Sequence, residues 1–366
     1  MNLIEQWIRP EVRAINAYHV ADASGLIKLD AMENPYTWPE ELREEWARLI
    51  RGADVNRYPD PHARQLTQQL SSVMQIPANA GVLLGNGSDE IIQMLALALG
   101  GEGRTLLSVE PGFVMYRMIA AFSGLNYVGV ELNAADFSLD METLLEAIDE
   151  HQPALLFLAY PNNPTGNLFA ASDVERIIAA SPGLVIIDEA YAPFTDASFM
   201  LRIGEFDNMV VMRTLSKMGL AGLRLGLLAG PEEWVREIDK TRLPYNINVL
   251  TQLSASFALS HISVFEEQTA KIREARSQLF KELQEIAGIT PFQSEANFIL
   301  VRTAEGEARP MFEGLKQHGV LIKNLHGSHP LLRDCLRITV GTEAENRAFV
   351  EVLKMLLPAA SSRPKT

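Results

Sequence analysis

The chain has 366 residues, 47% hydrophobic and 21% charged, with 46 acidic against 32 basic side chains and a formal charge of −14. This composition predicts a large packed core and excludes global disorder. It also argues against nucleic acid as a partner, because nucleic-acid phosphates demand a cationic surface. A single cysteine, Cys335, excludes an intrachain disulfide and suits a cytoplasmic location. The first residues lack the basic-then-apolar pattern of a signal peptide, and the longest apolar run, 91–99, is too short to span a bilayer, so no membrane partner is expected.

In chain order, residues 1–35 read as an irregular arm with an amphipathic start. From Val82 short apolar runs alternate with helical patterns. Strands are expected at "GVLLG", "TLLSV", "NYVGV", "ALLFLAY", "LVIID", "MVVMRT" and "RLGLLAG", and helices over 88–99, 113–123, 141–149 and 172–180. Strands that are apolar throughout, with helices between them, predict an α/β fold: a mostly parallel seven-stranded sheet flanked by helices. That large domain is placed at 36–245. After Gly230 the pattern turns helical, with a break near "RLPYNIN". Short strands follow at "NFILV", "VLIK" and "CLRITV", predicting a smaller C-terminal α/β domain at 246–366.

Four stretches carry chemistry. In "LLGNGSDEIIQML" a strand ends, Gly87 follows and Ser88 opens a helix whose free N–H groups suit a phosphate. Glu90 stands where a dinucleotide fingerprint has its third glycine, and no Gly-Lys-Ser/Thr follows, so neither a Rossmann site nor a P-loop is expected. "LAYPNNPTGN" offers Asn163 at the end of a strand, where open α/β sheets bind ligands. "LVIIDEAYAPF" puts Asp188 at the end of a buried strand, with Tyr191 three residues on. Buried there, a carboxylate needs a cationic or N–H partner. "RTLSKMGLAGLR" sets Lys217 among small residues, Thr214, Ser216, Arg213 and Arg224; a buried amine loses proton affinity and becomes a nucleophile toward carbonyls. Taken singly, each stretch has an ordinary structural explanation. Together they fit pyridoxal 5'-phosphate, which needs a phosphate cradle, a lysine and a carboxylate against its ring nitrogen.

The ordered set "GNGSDE", "PNNPTG", "DEAY" and "RTLSKMGLAGLR" resembles the fold-type I pyridoxal-phosphate aminotransferases. With "NRYPDP", "PGFVMYR", "NFILVR" and "CLRITVGT" the likeness covers nearly the whole length and points to the branch acting on histidinol phosphate. The resemblance implies that Lys217 forms the Schiff base and then moves protons, that Asp188 pairs with the ring nitrogen, and that Tyr191 and Asn163 contact the phenolic oxygen. Gly87, Ser88, Asp89, Thr214, Ser216 and Arg224 would surround the cofactor phosphate. Phe113 takes the ring-stacking place, where relatives often have tyrosine. Tyr58 would reach the cofactor of a second subunit in a homodimer. Tyr18, Lys323 and Arg337 would hold the substrate's phosphate or carboxylate, with Tyr58 and Asn163 nearby.

Some residues depart from the family. Met32 stands where relatives often have asparagine, and Lys323 where they often have arginine. Arg224 follows Lys217 by seven residues where eight is usual, a tightening ascribed to Gly219 and Gly222. The implied reaction joins a small-molecule amine, L-histidinol phosphate, to a 2-oxo acid, 2-oxoglutarate. An aromatic aminotransferase, a threonine-phosphate decarboxylase and a non-enzymatic sensor of the cofactor remain as alternatives, the last lacking a basic DNA-binding module. His326, His329 and Cys335 are too few and too irregular for a zinc site, so no metal is expected.

Overall fold

The computed structural model describes residues 2–17 and 20–357. Tyr18 therefore lies outside the described residues. The strands in chain order are β1 (Ile27–Leu29), β2 (Ala80–Gly85), β3 (Thr105–Glu110), β4 (Asn126–Glu131), β5 (Leu155–Ala159), β6 (Leu184–Asp188), β7 (Met209–Thr214), β8 (Gly226–Pro231), β9 (Ile289–Pro291), β10 (Phe298–Thr303), β11 (Val320–Asn324) and β12 (Cys335–Thr339). Seven form one sheet in the order β2-β8-β7-β6-β5-β3-β4. β8 runs antiparallel to both neighbours and the other pairings are parallel, so six strands share one direction. The expected mixed α/β fold with a mostly parallel seven-stranded sheet is what forms.

The apolar runs occupy both faces because each strand alternates. Leu156, Leu158, Val185, Ile187 and Val211 pack into one core. Their neighbours Leu155, Phe157, Leu184, Ile186 and Val210 pack into another on the opposite face. A strand buried on both sides has no polar phase, which is why its sequence shows no alternation of polarity.

The remaining strands form a second sheet, β1-β11-β12-β10-β9. Its outer strand β1 comes from the N-terminal arm and pairs in parallel with β11. The arm is therefore more ordered than its sequence implies. It also carries the short helices Leu3–Trp7 and Pro10–Arg13. Beyond β1, Met32 is held by two buried bonds: its N–H donates to Thr339 Oγ1 at 2.9 Å, and its carbonyl accepts from Asn297 Nδ2 at 2.9 Å. These bonds bring residues 31–33 over the carboxyl edge of the large sheet.

The ends of β6 and β7 are clamped by charge. Glu189 accepts Arg213 Nη2 at 2.7 Å and Nε at 2.9 Å, and also receives Ser198 Oγ. The Glu189 side chain is wholly buried. Removing one partner of a buried pair strands the other charge, at a cost of about 3–5 kcal/mol. Arg213→Met should fall near the lower bound, because Ser198 Oγ and the Phe199 N–H still donate to Glu189. A urea titration should show a loss of about 3 kcal/mol.

Candidate active site

All six co-directional strands end on one edge, and the loops leaving β2, β5, β6 and β7 meet there around a cavity of about 210 Å³. Ser88 and Asp89 reach it from the helix Ser88–Leu99, Asn163 from the turn after β5, and Asp188 and Tyr191 from the end of β6. Thr214, Ser216, Lys217 and Arg224 enter from the loop after β7, and Phe113 from the turn before the helix Val114–Ser123. Ten residues scattered over more than a hundred positions thus line one pocket. Of the cofactor contacts expected from sequence these ten meet here, with Gly87 abutting them through Arg224, and Tyr58 is not among them.

Lys217 is partly buried, and what exposure it keeps faces this pocket. Its Nζ donates to the carbonyl of Ala31 at 3.2 Å. Burial and then the Arg337 guanidinium push its pKa down to about 8, with Arg224 adding to the fall and Glu33 and Asp89 opposing it. Asp188 is buried, and burial raises its carboxyl to about 6, so it is ionised at neutral pH. Its partners are the Tyr116 phenol at 2.6 Å and the Ala190 N–H at 3.1 Å. Neither partner is charged. A buried anion with neutral partners suits a ligand that brings a cation to it.

The phosphate end is built from backbone. The first N–H groups of a helix have no intrahelical acceptor, and the helix Ser88–Leu99 begins without a side-chain cap. Gly87 precedes it at φ +87°, and a Cβ there would lie 2.5 Å from Arg224 Nη2. Glu90, which breaks the dinucleotide pattern, instead accepts the Asn86 N–H at 2.6 Å and Asn246 Nδ2 at 2.9 Å, closing the turn. The Asp89 carboxylate meets Arg224 Nη2 at 3.4 Å, and Ser216 Oγ meets Thr214 Oγ1 at 2.9 Å. A pocketed amine of lowered pKa, a buried carboxylate and this cup match the three ends of pyridoxal phosphate. Gly87→Ala should displace Arg224 as well as strain the turn. The measurable result is weaker retention of cofactor on dialysis, by about tenfold, the loss of one charge-assisted bond.

The seven-residue step from Lys217 to Arg224 is absorbed differently from the sequence expectation. Residues Ser216–Leu220 form a single wide turn kinked at Gly219, whose φ is +125° and whose added Cβ would meet Asn34 Nδ2 at 2.9 Å. Gly222 is not required for this. It sits inside the tight turn Ala221–Leu223 with open space at its Cβ. Arg224 itself takes the left-handed conformation, at φ +49°.

A second cavity of about 330 Å³ adjoins the first, and Met32, Phe113 and Asn163 line both. Lys323 and Arg337 face it. Arg337 Nη1 donates to Asn163 Oδ1 at 2.5 Å and Nη2 to the Asp30 carbonyl at 3.2 Å. Tyr58 is in neither cavity. It is 78% exposed and its ring stacks on Tyr245 at 4.2 Å between centroids. His326 receives the Asp334 N–H, His329 receives the Leu331 N–H, and Cys335 is buried against the Arg333 carbonyl.

Sequence reasoning did not assign roles to Ala31, Glu33 or Tyr116. The arm residues enter through long-range bonds that no local pattern carries. Tyr116 left a signal: a tyrosine on the buried face of an apolar helix needs a partner for its hydroxyl.

Sheet order, carboxyl-edge pocket and lysine together define a fold-type I pyridoxal-phosphate-dependent transferase. The chain belongs to the class I and II aminotransferases, whose family model matches residues 24–353. It is 56% identical over 351 residues to histidinol-phosphate aminotransferase 2 of Nitrosococcus oceani, covering 96% of this chain and 97% of that protein. Among solved structures it resembles histidinol-phosphate aminotransferase from Sinorhizobium meliloti in complex with pyridoxal-5'-phosphate. That likeness has a TM-score of 0.84 and 25% identity, covering 96% of this chain and 97% of that one. L-threonine-O-3-phosphate decarboxylase from Porphyromonas gingivalis shares the fold at TM-score 0.77 and 22% identity, over 90% of this chain and 98% of that one, so the fold alone does not choose the substrate.

Proposed function

We propose that the chain transfers the amino group of L-histidinol phosphate to 2-oxoglutarate, giving imidazole acetol phosphate and L-glutamate, a step of histidine biosynthesis. The observation carrying the substrate is a like-charge pair. Lys323 and Arg337 are direct partners across β11 and β12, and both face the cavity beside the Lys217 pocket. Like charges directly opposite on a sheet repel, so an anion between them is favoured. A substrate phosphate meets that need in one half-reaction and a glutamate carboxylate in the other. Leu325, Leu332 and Phe113 give the same cavity an apolar wall for a flat ring. The names of the relatives support the same substrate.

Bound pyridoxal phosphate supplies an aldehyde carbon for the amino group and a ring that draws electrons from the substrate's Cα. The chain's residues divide the rest. Lys217 Nζ would take the proton from that Cα and give one to the cofactor's aldehyde carbon, and would move it the other way in the second half-reaction. Asp188 holds a negative charge for the ring nitrogen, and Tyr191 and Asn163 serve the phenolic oxygen. Phe113 covers a ring face. Arg224, Ser216, Thr214 and the helix start at Gly87, Ser88 and Asp89 hold the phosphate. Lys323 and Arg337 orient the substrate.

The chain acts as a cytoplasmic homodimer, divided at 36–245 and 246–366 with an arm at 1–35. The exposed Tyr58, stacked outside its own pocket, supports a reach into a second subunit. Among the described residues no helix is long and apolar enough to cross a membrane. The test is turnover with 2-oxoglutarate: histidinol phosphate should exceed phenylalanine in kcat/KM. Faster turnover of phenylalanine, or carbon dioxide released from O-phosphothreonine, would overturn the reading.

A further inference from the structure

Asp188 is held from outside its own strand. The Ala190 N–H that reaches Oδ1 is a local contact two residues on, at 3.1 Å. Oδ2 instead accepts the phenol of Tyr116, 72 positions away, at 2.6 Å. Tyr116 is 1% exposed. Its ring stacks on Phe157 with centroids 4.6 Å apart and meets Phe113 edge-on at 5.4 Å. Packed on two sides, the phenol cannot swing from the carboxylate without disturbing the ring that lines the pocket.

We propose that Tyr116 is a positioning residue for the cofactor: its O–H aims the Asp188 carboxylate into the pocket and keeps it ionised for the ring nitrogen. This rests on the cofactor reading above. The charges around Asp188 make the bond matter. Asp89 on the helix Ser88–Leu99 and Glu189, the residue just past the strand end, both disfavour another negative charge, and burial disfavours it more. Tyr116 and the Ala190 N–H act the other way. Burial and the neighbouring Asp188 charge hold the Tyr116 phenol well above its ordinary range, so it remains a donor at working pH.

The experiment uses the holoenzyme and Tyr116→Phe, which keeps the ring and removes the O–H. The absorption band of bound pyridoxal phosphate is followed from pH 5 to 9. The variant should show its low-pH transition about one pH unit higher, the size of one hydrogen bond to a charged group. Cofactor retention on dialysis should drop several-fold at pH 7 and recover at pH 8.5. In an Asp188→Asn background, Tyr116→Phe should change neither reading, because the two act as one unit. An unmoved transition with a lowered melting temperature, or equal effects in both backgrounds, would overturn the proposal alone. A wild-type chain that took up no pyridoxal phosphate would overturn the cofactor reading with it.

Discussion

Lys217→Ala is expected to lower turnover at least about a thousandfold, because one group supplies both the cofactor's attachment and the proton transfer. Borohydride should fix the reduced cofactor to the Lys217 peptide of the wild-type chain and to nothing in the variant, by mass spectrometry. Wild-type-like turnover by the variant would sink the assignment. The pH behaviour follows from the same burial. With its pKa lowered to about 8, the amine is mostly neutral above that value, so uptake of pyridoxal phosphate by the cofactor-free chain should accelerate through pH 8. Stability runs the same way. Between pH 8 and the unfolded value of 10.5 the unfolded chain binds more protons here, so the wild type gains stability as pH rises across that window. Below pH 8 the full penalty of the buried charge is present. Lys217→Met in the cofactor-free chain should therefore melt higher than wild type at pH 7, with the advantage gone above pH 10.5. A residue that lowers stability yet is required for turnover is the usual exchange at an active site.

The large sheet was legible because doubly buried strands write their character locally. "LLFLA" and "LVIID" read as strands without any knowledge of their partners, and both form. The pocket was legible for a related reason: in such a sheet the functional loops follow the strand ends, so each chemical residue sits beside a recognisable apolar run. The arm was harder. β1 is three residues long and gains its place through pairing with β11, nearly three hundred positions away. The Met32 and Ala31 contacts beside Lys217 have the same non-local origin. The Lys217 loop lay between these cases. Its shortness was visible, but which residues absorb it was not, because Arg224 takes the left-handed backbone that sequence assigns to glycine. The arginine's grip on Asp89 and its place against Gly87 accompany that conformation.

Lys323→Met and Arg337→Met should separate the two halves of the substrate site. Both remove one cation from a facing pair, so each relieves repulsion in the free protein. They differ in what else is lost. Arg337 is buried and also ties Asn163 to the Asp30 carbonyl, joining the small sheet to the cofactor loop. Arg337→Met should therefore raise KM for both histidinol phosphate and glutamate by roughly 10- to 100-fold, the span for a hydrogen bond to a charged group. It should also lower kcat, since Asn163 lines the Lys217 pocket. Lys323 is a point charge whose ammonium meets a dianion more strongly than a single carboxylate. Its loss should raise KM about tenfold for histidinol phosphate, change glutamate little, and leave kcat unchanged. Added salt should weaken wild-type binding of the phosphorylated amine more than that of glutamate, and the Lys323→Met variant should lose most of that difference. If Lys323→Met affected both substrates equally, Lys323 would not tell the phosphate from the carboxylate, and the preference for a phosphorylated amine would not come from this facing pair.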